Sequence, residues 1–226
     1  MRNSRWYLAA RAALLGLTVA SLAGCDDGAV EVQAPVPARL VAVAPMEFSG
    51  VVGGEVSPGP AVRVEDKNGS PLAGVAVVFE KASDQSGIPV LATVESDLGG
   101  IAQLGTWKLG TRAGPQTMTA RAQALSPITF NAAALPGPTA VMAPVGGDNQ
   151  TGPAGYTLPL PVRVRVADSF GNSIEGTTVT FSVETGAGTV APSPTITNVL
   201  GEAGALWKLG VLGVNSVIAS AAASPQ

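Results

Sequence analysis

From about residue 37 onward, short runs of alternating apolar and polar residues are broken every few positions by Gly, Pro, Asn or Asp. In Pro161-Val162-Arg163-Val164-Arg165-Val166 the valines alternate with arginines. One face of such a segment enters a core and the other meets water, which predicts a half-buried strand. Asp168-Ser-Phe-Gly171-Asn172 follows as a turn, because Asp accepts backbone N–H groups ahead of it and Gly or Asn tolerates a positive φ. Thr178-Val179-Thr180-Phe181-Ser182-Val183 then predicts a second strand with Val179, Phe181 and Val183 on its inner face. The two strands are expected to form a hairpin-like pair.

The same pattern occurs twice. The run from Val62 to Phe79 aligns without a gap on the run from Val164 to Phe181, an offset of 102, and keeps Val, Arg, Val, Asp, Gly, Gly, Val and Phe in place. Further on, Trp107-Lys108-Leu109-Gly110 recurs as Trp207-Lys208-Leu209-Gly210 at an offset of 100, so short deletions fall in the loops between, where length changes are tolerated. A period of about one hundred residues built of short strands is the size of one immunoglobulin-type sandwich. The fold class is therefore all-β, with two tandem immunoglobulin-like sandwiches. Phe79, Phe181, Trp107 and Trp207 are the candidate core, an aromatic layer between the sheets of each copy.

Residues 1 to 24 follow a different pattern. Arg2, Arg5 and Arg11 precede the apolar run Ala13 to Leu22, and the small residues Ala23 and Gly24 lead to Cys25. This is the layout of a secretory signal peptide, and the run is about half of the ~20 apolar residues that span a bilayer. Leu22-Ala23-Gly24-Cys25 resembles the bacterial lipobox, which implies cleavage between Gly24 and Cys25 and a diacylglycerol-modified Cys25 as membrane anchor. Several buried acyl chains hold a protein on a membrane where one does not. Asp26 resembles the inner-membrane retention signal of enteric lipoproteins, so inner-membrane retention stands beside outer-membrane or cell-surface display. Residues 25 to 36, with Ala34-Pro-Val-Pro37 at their end, read as an extended tether.

Composition narrows the chemistry. The 226 residues include 28 Gly and 18 Pro, no His and a single Cys, which removes the commonest general base, the commonest metal ligand and any intrachain disulfide. Without the three early arginines, 10 basic residues face 16 acidic ones, a net charge of −6 with no basic cluster, so nucleic acid is not an expected partner. Glu65, Asp66, Asp97, Asp148 and Asp168 lie near predicted turns, and turn chemistry accounts for them; no run of acids at alternating positions offers the 6 to 8 oxygens that calcium takes. No metal, no cofactor and no enzymatic activity are expected.

The blocks Gly147-Asp-Asn-Gln150-Thr-Gly152, Leu158 to Asn172, Gly186-Ala-Gly188, Ser96-Asp97-Leu-Gly-Gly100-Ile-Ala102, Trp107 to Gly110 and Gly213-Val-Asn215-Ser-Val217-Ile-Ala219 occur in this chain. Together they resemble the bacterial Ig-like domain group 1, Big-1, of invasin- and intimin-type surface proteins, over about residues 37 to 226. Two departures stand out. The first copy opens with Ser49 to Glu55 in place of the Gly-Asp-Asn-Gln-Thr-Gly stretch. In the second copy only Ser220 to Gln226 follow Ala219, where the first copy goes on to Ile128-Thr-Phe130-Asn-Ala-Ala133, so its last strand is expected to be shortened or missing. An unpaired edge there predicts partial order or pairing with another chain.

The organisation expected is a signal peptide over 1–24, a lipidated tether over 25–36 and Ig-like domains over 37–135 and 136–226. The function expected is that of a non-catalytic envelope lipoprotein, a stalk or adhesion module whose partners are the membrane, through Cys25, and a protein or carbohydrate surface. The alternative is a periplasmic scaffold or a cell-wall or carbohydrate-binding subunit. Phe170 and Tyr156, in predicted loops, are the aromatic residues available to a sugar.

Overall fold

The alternating segments build seventeen strands among the residues that the computed structural model describes, which are 35–43, 45–81, 91–211 and 213–221. Those residues contain no helix, and the fold is all-β, of immunoglobulin-like sandwich type. Gly24, Cys25 and the rest of the signal and tether segment lie outside the described residues up to position 34.

The first sandwich contains β1 (Arg39–Ala42), β2 (Glu47–Val51), β3 (Glu55–Val56), β4 (Ala61–Glu65), β5 (Ala76–Lys81), β6 (Leu91–Glu95), β7 (Ile101–Gln103), β8 (Trp107–Lys108), β9 (Gly114–Arg121) and β10 (Ile128–Leu135). One sheet runs β1-β4-β7, the other runs β2-β10-β9-β5-β6, and β3 pairs with β8. Strand β10 is antiparallel to β9 and parallel to β2. Its Phe130, Ala132 and Ala134 are buried and alternate with exposed neighbours. Phe48 of β2 meets Trp107 edge-on, with ring centroids 5.7 Å apart, and lies 6.3 Å from the Phe130 ring.

The second sandwich contains β11 (Val141–Gly146), β12 (Val162–Ala167), β13 (Thr178–Thr185), β14 (Thr189–Ala191), β15 (Thr195–Ile196), β16 (Glu202–Lys208) and β17 (Ser216–Ala221). Its sheets run β11-β12-β16-β14 and β15-β13-β17. Strand β13 repeats β5 and β17 repeats β9: Phe79 pairs with Ala120 as Phe181 pairs with Ala219. Among the described residues no strand repeats β10, and none lies on the outer side of β17.

The expected hairpin-like pairing does not form. Strands β4 and β12 belong to one sheet of their sandwich, β5 and β13 to the other. Each of these strands has a single apolar face, and two such faces are buried most completely when they meet across a core rather than lie side by side. The connecting turn therefore climbs from sheet to sheet. Leu72 N–H donates to Val64 O and Gly74 N–H to Ser96 O; Ile174 to Val166 and Gly176 to Thr197 repeat both bonds.

Candidate functional site

The four core aromatics sit where the two sheets face each other. Phe79 and Trp107 are 0% and 1% exposed, Phe181 and Trp207 5% and 9%. The second pair is thus slightly more exposed than the first. The indole N–H of both tryptophans lacks a hydrogen-bond acceptor, so this feature comes with the repeated fold and singles out neither copy.

The turn acids accept backbone hydrogen bonds. Asp66 Oδ1 takes the N–H of Asn68 and of Ser70, both at 2.8 Å, and Asp97 Oδ1 takes those of Gly99 and Ile101 at 2.8 and 2.9 Å. The bond from Ser70 leads in lowering the Asp66 pKa. In the second copy the Asp97 position is Asn198, whose Oδ1 accepts from Leu200 and Glu202 at 2.9 and 3.0 Å. A neutral amide makes the same turn, so this turn needs an acceptor and not a charge. Asp148 accepts from Asn149 Nδ2 at 2.9 Å. Among the described residues no three His, Cys, Asp or Glu side chains are placed to hold a metal ion. Glu65 is buried between Arg39 and Arg63, joins β1 to β4, and has its pKa lowered first by the Arg39 hydrogen bond.

A pair of hydroxyls escaped the sequence reading. Ser96 Oγ accepts Val75 N–H at 3.0 Å and donates to Leu72 O at 2.6 Å, and Thr197 Oγ1 does the same for Thr177 and Ile174 at 2.8 and 2.7 Å. Each braces the crossing turn from inside. Ser and Thr at offset positions 96 and 197 were the available signal, but a hydroxyl in a strand pattern ordinarily reads as solvent-facing.

The turn at Asp168 differs from its twin at Asp66 because it is a joint. Asp168 is fully buried, and its Oδ1 accepts from Phe170 and Asn172 N–H, both at 2.9 Å. Its Oδ2 accepts from Asn172 Nδ2 and from Gly137 N–H in the connecting segment, both at 2.8 Å. Asn172 reaches the first sandwich: Nδ2 donates to Thr111 O and Oδ1 accepts Ala113 N–H, both at 2.8 Å. Phe170 lies against Gly53, where an added Cβ would come within 3.3 Å of the ring. Phe170 thus touches the joint yet stays 53% exposed, and Tyr156 is 66% exposed. Burial pushes the Asp168 pKa up, but the hydrogen bonds from Asn172, Gly137 and Phe170 outweigh it and the net shift is downward.

The described residues also leave a groove beside β17. A groove of about 280 Å³ lies there, walled by Val162 and Val164 from one sheet, Phe181, Val217 and Ala219 from the other, and Trp207. A second hollow of about 360 Å³ adjoins it beside Gln150, Trp207 and Leu209. In the first sandwich the corresponding place holds Phe130 and Phe48. In the second, the Gln150 side chain beside the adjoining hollow bonds Gly147 O and the backbone of Leu160. The described residues bring no nucleophile and base together at this groove; they present an apolar floor rimmed by Asp148, Asn149, Arg163, Asn215 and Ser216.

The sequence matches no family model, and no curated protein matches it. Similar solved structures include invasin, a bacterial integrin-binding protein, at 20% identity over 81% of this chain and 36% of that one, with a TM-score of 0.37. The Escherichia coli adhesin FdeC is 14% identical over 79% of this chain and 57% of that one, with a TM-score of 0.47. Yersinia pseudotuberculosis InvD is 18% identical over 83% and 54%, with a TM-score of 0.43. The chain thus spans between about a third and just over half of these three proteins.

Proposed function

We propose that this chain is a non-catalytic module of the bacterial cell envelope, in which tandem Ig-like domains over 37–135 and 136–226 form a stalk on a membrane and offer their exposed loops for adhesion. In this reading the signal peptide is cleaved between Gly24 and Cys25, and lipid on Cys25 is the anchor. The observation that carries the stalk is the joint at Asp168 and Asn172. Four short hydrogen bonds converge on one buried carboxylate, and two more tie Asn172 to the first sandwich. A linker left free would let two domains move independently, as linked domains do by default; a joint braced in this way suits a spacer. The lipobox-like Leu22 to Cys25 supports the anchor.

Protease added to intact cells tests the reading, with an antibody against the second domain as the readout. Expected is loss of signal without lysis, and release of unlipidated protein from the membrane fraction in a Cys25→Ala strain. Full protection until the outer membrane is opened would overturn surface display and favour the periplasmic scaffold.

A further inference from the structure

Tension in a spacer enters a domain at one chain exit and leaves at the other, so only the strands between those exits carry it. In the first sandwich the chain enters at β1 and leaves after β10. Arg39, at the start of β1, pairs with Glu65 beside the 66–70 turn. Leu135, at the end of β10, pairs with Val51. Just beyond Val51, the N–H groups of Gly53 and Gly59 donate to Gly110 O and Gly105 O, and β4 begins there at Ala61 and runs away toward Glu65. The two exits therefore lie at opposite ends of the sandwich.

Two ladders stand between the exits. Strand β1 lies antiparallel on β4 from Arg39↔Glu65 to Ala42↔Val62, and the buried Glu65 grips Arg39 at its loaded end. Strand β2 lies parallel to β10, from Glu47↔Asn131 to Val51↔Leu135. Asn131 N–H donates to Met46 O at 2.8 Å just ahead of these pairs, and Val52 N–H to Leu135 O at 2.9 Å just behind them. On the outer face Asn131 Nδ2 donates to Glu47 Oε1 at 2.9 Å; on the inner face Phe48 packs against both Trp107 and Phe130. Because the strands are parallel, a pull on the start of β2 and on the end of β10 drives them past each other along their own axes. All rungs then share the load, and Phe48 must slide past both rings. A pull on the same end of both strands opens the rungs one after another instead. Strands β5, β6, β7 and β9 lie off this path.

We propose that the first sandwich has a mechanical function: its β2–β10 pair is a shear clamp that keeps the domain folded while tension runs from the tether side to the second sandwich. Resistance of this kind is set by the rate of unfolding under load and not by equilibrium stability. Packing that is still intact when the clamp gives way, such as that of the fully buried Val77 on β5, contributes to stability with little effect on that rate. The inference rests on the stalk reading for one point, that tension enters before β1 and leaves after β10. Failure of the shaving experiment would leave the resistance of the clamp unchanged, and a weak clamp would leave surface display standing.

The test stretches single molecules of the full chain, in a Cys25→Ser background, between two introduced cysteines that leave the second sandwich outside the stretched segment. Val36→Cys with Pro138→Cys loads β2 and β10 from opposite ends, and Val51→Cys with Pro138→Cys loads them from the same end; all three positions are exposed. At one constant force the first pair should survive at least about tenfold longer than the second, a difference that reads the unfolding rate directly. Val77→Ala, added to the first pair, should lower the urea midpoint while shortening that lifetime by less than about threefold. Equal lifetimes for the two cysteine pairs would overturn the proposal. So would a Val77→Ala lifetime shortened as much as its folding equilibrium constant, because the core and not the clamp would then be holding the load.

Discussion

Asp168 and Asp66 stand at the same place in the two copies, and burial separates them. Asp66 is partly exposed and holds only its own turn, whereas Asp168 is sealed and also holds Gly137. Asp168→Ala leaves three backbone N–H groups without their acceptor, and charge-assisted bonds of this kind predict a loss of about 2–4 kcal/mol in urea unfolding. Asp66→Ala should cost clearly less. The pH dependence follows from the lowered pKa of Asp168. A carboxylate whose folded value lies below its unfolded value of about 3.9 contributes its full stability above that value and loses it as pH falls through the folded one. The wild type should therefore weaken below about pH 4 with a steeper acid limb than Asp168→Ala, measured by urea midpoints across pH 2.5 to 6.

Among the elements, β10 is the one without a counterpart among the described residues of the second copy. Phe130 is fully buried, so Phe130→Ala predicts a loss of about 3–5 kcal/mol from the cavity it leaves. Phe181 lines an open groove, and water or loop movement can relax the space behind it, so Phe181→Ala should cost less than Phe130→Ala in the same chemical denaturation. Amides of β17 should exchange faster than those of β9, since β9 is flanked by β5 and β10 and β17 by β13 alone. Comparable protection of the two strands would mean that β17 is already covered in solution.

For the molecule as a whole, the question is how firmly residues 110–113 are held to the Asp168 turn. Asn172→Ala removes both side-chain bonds to Thr111 and Ala113 while leaving the sandwich cores untouched. Spin labels on the exposed Leu98 and Val199, in a Cys25→Ser background, should give a narrow distance distribution in the wild type and a broad one in Asn172→Ala. An equally broad wild-type distribution would remove the physical basis of a rigid stalk.

The strand content, the turns and the duplication were legible in the sequence, because alternation at Val162 to Val166 and the Asp and Gly spacing at 168 and 171 are local properties of the chain. The buried aromatics were legible for a related reason: a large apolar side chain recurring once per copy has few places to go but the core. The sheet to which each strand belongs was not legible. Strands β12 and β13 are adjacent in sequence and share an inward pattern, but only the need to close one core from two sides sends them to opposite sheets. The joint was equally hidden, since Asp168 and Asp66 sit in similar local sequences and differ only in what packs against them. Local periodicity determined the strands of this protein. Burial shared between distant segments decided which strands share a sheet and which turn became a joint, and that burial exists only once the chain is folded.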